Sequence, residues 1–342
     1  MAITYIPSLS HRVPATRAGS GSAGGPSRCI QHATHATGNA GNAEPTVPDP
    51  PSPPSPPASR SAAIVSRRAV ISAPLLLSAL VSLPFSFPPV ASSAAGLRKL
   101  SQAEISQVLS ILGDTVPQSK APLMLRLVFH DGATYRVGDG TGGVNGSVQY
   151  ELERPENFGL KRGTNVIKQL IAADQAAAAK SGRAAYLSFA DWIVLAAAYA
   201  VKVTNGPDMF SSLRVGRADA AGADPEGRLP EERLSADEQL AVFGEMGLSA
   251  TEMVALLGSH TIGQKGFGGP LEFDNVYYRS LLERPWEKEG DKMASMIGLA
   301  SDRVLPDSEV TKRVIERFAG DQGAFFQEFE RAFLKLSELG SS

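Results

Sequence analysis

Four segments of this chain open with the same helix-start signal, a serine followed three positions later by an acidic residue. The four pairs are Ser101/Glu104, Ser188/Asp191, Ser235/Glu238 and Ser249/Glu252. In such a capping box each side chain bonds to the backbone N–H of the other residue, which defines where the helix begins. An apolar run with helical spacing follows each pair, and strand signals are sparse. The pattern predicts an all-α, mainly helical protein of roughly ten helices.

Clusters of glycine, proline, asparagine and aspartate separate the predicted helices, as is typical of loops. These clusters span residues 138–146, 205–208, 224–230 and 263–270. Pro122 stands early in the apolar run Leu123–His130, where the first turn of a helix tolerates proline. We therefore expect a helix to begin at the start of this run.

The first 96 residues differ in composition from the rest of the chain. They contain 15 of the 24 prolines, six arginines, no lysine and only two acidic residues, Glu44 and Asp49. Such a segment cannot bury enough apolar surface to offset the entropy lost on ordering. A leader that is rich in arginine and serine and poor in acid is typical of organelle transit peptides. We therefore treat 1–96 as a targeting region, with a Pro-Ser spacer over Pro45–Pro57.

A second targeting signal follows within this leader. Ser66-Arg67-Arg68 precedes an apolar stretch, Ala69–Val90, and then the small residues 91–95. This order outlines a twin-arginine signal peptide. A short membrane anchor is the other interpretation, but four prolines interrupt the stretch, and we expect no stable membrane span in the mature form. The two signals predict delivery to the chloroplast, and stroma and thylakoid lumen both stay open.

The remaining segment, 97–342, has a modest negative charge. It carries 27 basic and 33 acidic residues, a balance that argues against a nucleic-acid partner. The single cysteine, Cys29, lies in the leader, so the mature chain is expected to lack disulfides and thiol chemistry. Its length allows one large core or two lobes around a cleft.

Only two histidines remain outside the leader, His130 and His260. Arg126 precedes His130 by four positions, so both side chains project from one helical face, and Phe129 lies near that face. Such a pair suits cleavage of a peroxide O–O bond, because the imidazole can move a proton and the guanidinium can stabilise the departing oxygen. The alternative is structural: Arg126 pairs with a buried carboxylate and His130 caps the helix.

His260 ends a second apolar run, and Gly258 and Ser259 are expected to leave room beside its ring for a flat macrocycle. A haem iron takes one imidazole as an axial ligand, and a carboxylate on the other ring nitrogen raises its basicity. Asp302 is one candidate for that carboxylate, although sequence alone cannot select it among many aspartates. Two histidines without cysteine do not form a zinc motif, and the glycine-rich segment 138–146 lacks the lysine of a phosphate loop.

These motifs, taken together and in order, resemble the plant class I haem peroxidases. The resemblance rests on Ala121–Asp131, Gly142–Ser147, Glu151–Asn157, Asp224–Pro230 and Ala255–Gly263. The nearest type resembles the plastid ascorbate peroxidase-related proteins, through Tyr150–Asn157, Lys265–Gly268 and Phe273–Tyr278. The match runs from about residue 100 to 340, which is effectively the whole mature chain.

The resemblance implies a two-lobed fold with haem b between a distal lobe at about 97–205 and a proximal lobe at about 206–342. By resemblance, the catalytic residues are Arg126, His130, Asn157, which orients His130, and Phe129. The cofactor-binding residues are His260, the iron ligand, its partner Asp302, and Thr261. Thr261 and Asp274 match positions that hold a monovalent or calcium cation in some relatives.

Several positions depart from the ascorbate peroxidases. Phe129 and Lys120 stand where those enzymes carry tryptophan and cysteine, and a segment that holds their proximal tryptophan is missing between Pro270 and Phe273. The arginine that holds ascorbate is also absent from the short loop after His260. We therefore expect hydrogen peroxide and a small, unidentified reductant as substrates, ascorbate use to be doubtful, and the oxidising equivalent to reside on the porphyrin.

The expected function is haem-dependent reduction of peroxide in oxidative-stress defence. Two other functions stay open. The chain could be a non-catalytic haem-binding sensor or carrier of the plastid, because the donor edge is altered, or a haem-free structural protein, which the persistence of Arg126, His130 and His260 argues against. No motif indicates the oligomeric state.

Overall fold

The structure, a computed structural model, describes residues 96–182 and 185–341. Ten α-helices lie in this part of the chain: α1 Gln102–Thr115, α2 Ala121–Gly132, α3 Lys161–Ser181, α4 Phe189–Val203, α5 Ala236–Glu245, α6 Ala250–Leu257, α7 Val276–Glu283, α8 Ala300–Arg303, α9 Glu309–Gly320 and α10 Gln322–Glu338. Two short strands, β1 Arg98–Lys99 and β2 Arg214–Val215, pair antiparallel, with Arg98 opposite Val215. The predicted all-α class is confirmed.

All four predicted capping boxes form at helix starts. They begin α1, α4, α5 and α6, and in each box the serine accepts from the acidic residue's backbone while the acid accepts from the serine's backbone. Pro122 lies in the first turn of α2, where its missing N–H would have had no partner within the helix. Local sequence therefore defines where these helices begin.

Two sets of helix contacts support the histidines, one around α2, which carries His130, and one around α6, which precedes His260. Helix α4 is apolar along most of its length and packs against α2, with Trp192 fully buried. Helix α6 packs against α10, and α7 packs against α9. Helix α10 also contacts α2, so the two sets share one core. The predicted lobe boundary near residue 205 stays a prediction.

The core behind α6 is made of aromatic side chains. Tyr278 packs edge-on against Phe325 and Phe318, with ring centroids 4.9 and 5.2 Å apart, and Phe273 stacks on Phe325 at 5.4 Å. The Tyr278 hydroxyl donates to the carbonyls of Val254 and Ala255 at 3.0 and 3.3 Å, which ties α7 to α6. This cluster supports the turn that carries His260.

Several predictions concern residues that lie outside the described part. Of the predicted targeting region 1–96, the structure describes only residue 96, so Cys29 and the apolar stretch Ala69–Val90 lie outside the described residues. Within the described ranges, no single helix is long and apolar enough to span a membrane; one sharply bent pair, Ala236–Glu245 with Ala250–Thr261, meets the length and composition criteria only when taken together.

Replacing Gly258 by alanine is expected to destabilise the fold. A Cβ atom there would clash with the Tyr278 hydroxyl and lie 2.6 Å from the Phe325 ring, and both side chains are fully buried. Overpacking of this kind costs about 1–3 kcal/mol. Urea denaturation of the Gly258→Ala variant should show that loss in the free energy of unfolding.

Gly244→Ala is the matched control. Nothing lies within 4 Å of a Cβ at Gly244, which is in helix α5, so alanine should stabilise by about 0.4–1 kcal/mol through the unfolded state. Equal stability of the Gly258→Ala variant and the wild type would contradict the packing described for this turn.

Candidate functional site

Arg126 and His130 lie one turn apart on α2, and both are buried. Nε of Arg126 donates to Nε2 of His130 at 3.3 Å. The terminal nitrogens of Arg126 donate to the carbonyls of Phe158 and Glu156 at 2.8 and 2.7 Å, so the guanidinium is held by backbone. Burial lowers the pKa of Arg126 to about 10, with Glu232 opposing the shift, so the group stays cationic at neutral pH.

Asn157 determines which nitrogen of His130 carries the proton. Its Oδ1 lies 2.7 Å from Nδ1 of His130, and its amide nitrogen donates to the Glu151 carbonyl at 3.1 Å. Because the amide oxygen can only accept, Nδ1 holds the hydrogen and Nε2 presents a lone pair. His130 is therefore arranged as a base whose basic nitrogen points to the same side as Arg126.

Phe129 forms part of the wall beside this pair. Its ring stacks on Phe243 of α5 at 5.9 Å and meets His130 edge-on at 6.3 Å. Phe129 also lines a cleft between α2 and the end of α6. An apolar wall there lowers the local dielectric, which strengthens the electrostatic effect of Arg126.

His260 lies on the α6 side of the cleft, in a 3₁₀ turn that follows the helix. Its Nδ1 donates to Oδ1 of Asp302 in α8 at 2.7 Å, and the backbone N–H of Leu299 donates to Oδ2 at 2.8 Å. Burial favours the neutral carboxyl, but the charge and hydrogen bonds around it, His260 foremost, hold the pKa of Asp302 below its usual value. The lone pair of Nε2 is thus left to act as a ligand.

The cleft between these two centres combines apolar walls with positive charge. Its apolar lining includes Leu256, Leu257 and Ile262. Its charged lining consists of Lys120, Arg126, Arg162 and Lys265, with no carboxylate among the lining residues described. Partial burial lowers the pKa of Lys265 below its usual value. Such a cleft suits a ligand with a broad apolar body and anionic substituents.

The expectation that Gly258 leaves room for a macrocycle is wrong. The Tyr278 hydroxyl and the Phe325 ring occupy the space beside Gly258, so this glycine serves core packing. Its neighbour Ser259 does line the cleft. The sequence could not distinguish the two roles, because the packing partners lie on α7 and α10.

Thr261 and Asp274 contact each other directly. The Thr261 hydroxyl donates to Oδ1 of Asp274 at 2.6 Å, and the same oxygen accepts from the backbone N–H of Val276 at 3.0 Å. In the part of the chain that the structure covers, no group of three or more His, Cys, Asp or Glu side chains could hold a metal ion. The pair therefore satisfies its own hydrogen bonds.

Sequence reasoning did not assign roles to three residues at this site. Tyr277 donates its hydroxyl to Oδ1 of Asp302 at 2.9 Å, and Lys265 lines the cleft. Glu232 lies close enough to raise the pKa of Arg126, and one of its carboxylate oxygens is buried with no hydrogen-bond partner in the described residues. Tyr277 and Lys265 fall within motifs that carry the resemblance, but their contacts are long-range and leave no local pattern.

Comparison with known proteins identifies the family of this chain. The family model described as Peroxidase matches residues 105–321. Putative L-ascorbate peroxidase 6 of Arabidopsis thaliana is 42% identical over 278 residues, which cover 81% of this chain and 78% of the relative. Cytosolic L-ascorbate peroxidase 2 of the same plant is 37% identical and covers 64% and 85%. Probable peroxisomal L-ascorbate peroxidase 4 of Oryza sativa subsp. japonica is 38% identical and covers 64% and 73%.

With a family model that matches more than half of its length, the chain belongs to the peroxidase family. Within that family it is related to the ascorbate peroxidases, in the plant class I superfamily. It is a haem peroxidase, an oxidoreductase that acts on peroxide.

The loop that follows α2 is held by Asp131, which comes directly after His130. Its two oxygens accept from the backbone N–H groups of Gly146 and Val148 at 2.8 and 3.0 Å. Burial raises the pKa of Asp131 to about 7, above its ordinary value of 3.8, against the pull of these two bonds. The native state therefore binds a proton that the unfolded chain releases between these two pH values.

This difference predicts a pH-dependent stability. The contribution of Asp131 to the free energy of unfolding should fall as pH rises from about 4 to about 7, by up to about 1.4 kcal/mol per pH unit. Across this range the free energy of unfolding of the wild type should fall relative to that of the Asp131→Asn variant, which cannot bind the proton. Parallel profiles for Asp131→Asn would contradict the prediction.

Proposed function

We propose that Arg126, His130 and Asn157 form the centre that cleaves hydrogen peroxide. The supporting observation is the hydrogen-bonded order Asn157–His130–Arg126, which puts the lone pair of His130 on Nε2, where it accepts from Arg126. In the proposed reaction the peroxide proton takes the place of this contact. Nε2 takes a proton from one peroxide oxygen and returns it to the other, which leaves as water. The guanidinium of Arg126 stabilises the negative charge on the departing oxygen.

The residues of the opposite wall fit haem b, the cofactor that the family implies. When bound, haem b would supply the two electrons that reduce the peroxide and would regain them one at a time from the donor. His260 would ligate the iron through Nε2, and Asp302 holds the ring through Nδ1. Lys120 and Lys265 would pair with the two propionates. Both cations line the cleft, and the described lining residues include no carboxylate that could compete for them.

Two further assignments complete the proposed site. Phe129 would exclude water beside His130, in keeping with its stack on Phe243. Thr261, next to the iron ligand, would hold the turn through its bond to Asp274. A monovalent or calcium cation at Thr261 and Asp274 would require the hydroxyl to turn away from the carboxylate and present its lone pairs.

The proposed electron donor is a small reductant other than ascorbate, and the proposed role is oxidative-stress defence. The support is the absence of a residue expected to hold ascorbate. The loop after His260 is short and carries Lys265 instead of an arginine. The relatives are named as ascorbate peroxidases, which supports peroxide as the oxidising substrate. The departures at the donor edge are the reason for proposing a different donor here.

We place this enzyme in the chloroplast, stroma or thylakoid lumen. The support is the acid-poor, arginine-containing leader with its twin-arginine segment. The named locations of the relatives include cytosol and peroxisome, so location differs between members of the family. The same leader supports the division into a targeting region, 1–96, and a peroxidase domain, 97–342. Within that domain, the proposed lobes meet near residue 205.

Replacing Arg126 by leucine should slow the reaction with peroxide. Loss of one donor to a developing oxyanion costs about 2.7–4 kcal/mol, roughly 100- to 1,000-fold in rate. Stopped-flow absorption of the haem-loaded protein, mixed with one equivalent of hydrogen peroxide, measures this step directly. Arg126→Lys keeps a cation without the planar fork and should lose less.

The same experiment tests the proposed function as a whole. A wild-type Soret band that drops and shifts on peroxide addition, and recovers with a donor, supports it. Haem that binds but does not respond would favour the sensor or carrier, and an Arg126→Leu rate equal to the wild-type rate would remove Arg126 from the mechanism.

The donor proposal predicts a substrate preference. Steady-state turnover with a small phenol should exceed turnover with ascorbate at equal concentration, because the ascorbate-holding arginine is missing. A cytosolic ascorbate peroxidase assayed in parallel should show the reverse order. Higher turnover with ascorbate in this protein would overturn the donor proposal and leave the peroxide step untouched.

A further inference from the structure

Asp302 receives three hydrogen bonds, and two of them meet at one oxygen. Nδ1 of His260 and the hydroxyl of Tyr277 both donate to Oδ1, at 2.7 and 2.9 Å, and the backbone N–H of Leu299 donates to Oδ2 at 2.8 Å. Asp302 and Tyr277 are both fully buried. His260 and Tyr277 therefore compete for the same negative charge in a region without bulk water.

The position of Tyr277 is constrained from several sides. Its ring meets the imidazole of His260 edge-on at 6.0 Å, and it packs edge-on against Phe267 and Tyr278 at 4.9 and 5.1 Å. Because a carboxylate oxygen accepts hydrogen bonds, the phenol is the donor in its contact with Asp302. The packing around the ring holds that donor in place beside His260.

We infer that Tyr277 is a positioning residue that sets how strongly His260 donates electrons to the haem iron. This inference rests on the proposed function, in which His260 is the iron ligand. A hydrogen bond from Tyr277 stabilises the charge of Asp302 and makes Oδ1 a weaker acceptor for the Nδ1 proton of His260. The imidazole then has less imidazolate character, donates less to the iron, and stabilises the ferric state less.

Tyr278 provides a matched control one residue away. It is also fully buried and belongs to the same aromatic cluster, but its hydroxyl donates to the carbonyls of Val254 and Ala255 instead of to Asp302. The changes Tyr277→Phe and Tyr278→Phe each remove one buried hydroxyl and keep the ring. Only the first removes a donor from the carboxylate that holds His260.

The test is spectroelectrochemical titration of the full-length, haem-loaded protein, with resonance Raman measurement of the ferrous iron–histidine stretch. Tyr277→Phe should favour the ferric form about tenfold, a fall of about 59 mV in the one-electron midpoint potential. The stretch should move to higher frequency, because a more imidazolate-like His260 binds the iron more strongly. Tyr278→Phe should leave both quantities at the wild-type values.

A double-mutant cycle locates the effect at the carboxylate. In an Asp302→Asn background the charge that Tyr277 moderates is gone, so adding Tyr277→Phe should change the potential much less than it does in the wild type. Equal shifts in the two backgrounds would mean that the hydroxyl acts elsewhere, and they would overturn the inference.

A second variant covers the case in which Tyr277→Phe does not retain haem. Incorporation of 3-fluorotyrosine at position 277 keeps the ring and makes the hydroxyl a stronger donor, so the potential should rise above the wild-type value. An unchanged potential in both variants overturns the role of Tyr277. Failure of the wild type to bind haem, or to respond to peroxide, would instead overturn the proposed function, so the two failures are distinguishable.

Discussion

The hydrogen bond between His260 and Asp302 is the interaction on which the rest of the site depends. It joins two segments 42 residues apart and directs one nitrogen of the imidazole away from the carboxylate and toward the cleft. A buried carboxylate is costly unless its charge is shared, and here the N–H of Leu299 and the hydroxyl of Tyr277 share it. Helix α8 is only four residues long, yet it brings Asp302 to this point.

On the α2 side of the cleft, backbone carbonyls hold the charged side chain, whereas on the α6 side a carboxylate holds the histidine. Carbonyls of Glu156 and Phe158 hold the guanidinium of Arg126, and the amide of Asn157 holds His130. Backbone carbonyls and a side-chain amide orient both groups without adding a formal charge of their own, which suits a group that must stabilise charge appearing in a reaction.

The first turn of α7 contributes directly to this carboxylate. The structure places Tyr277 against both His260 and Asp302, with its hydroxyl donating to Oδ1. A phenol donates one hydrogen bond from an aromatic ring, so the same residue packs beside the imidazole and shares the charge of the carboxylate.

The sequence by itself determined the features that depend on neighbours a few residues apart. Capping boxes placed the starts of four helices, and the i,i+4 spacing placed Arg126 and His130 on one face, because a helix brings such positions together whatever surrounds it. Only the tertiary structure decided which aspartate meets His260, which hydroxyl meets that aspartate, and whether Gly258 faces a ligand or an aromatic core. Those contacts join segments far apart in the chain, and no local spacing encodes the packing that selects one buried partner among many.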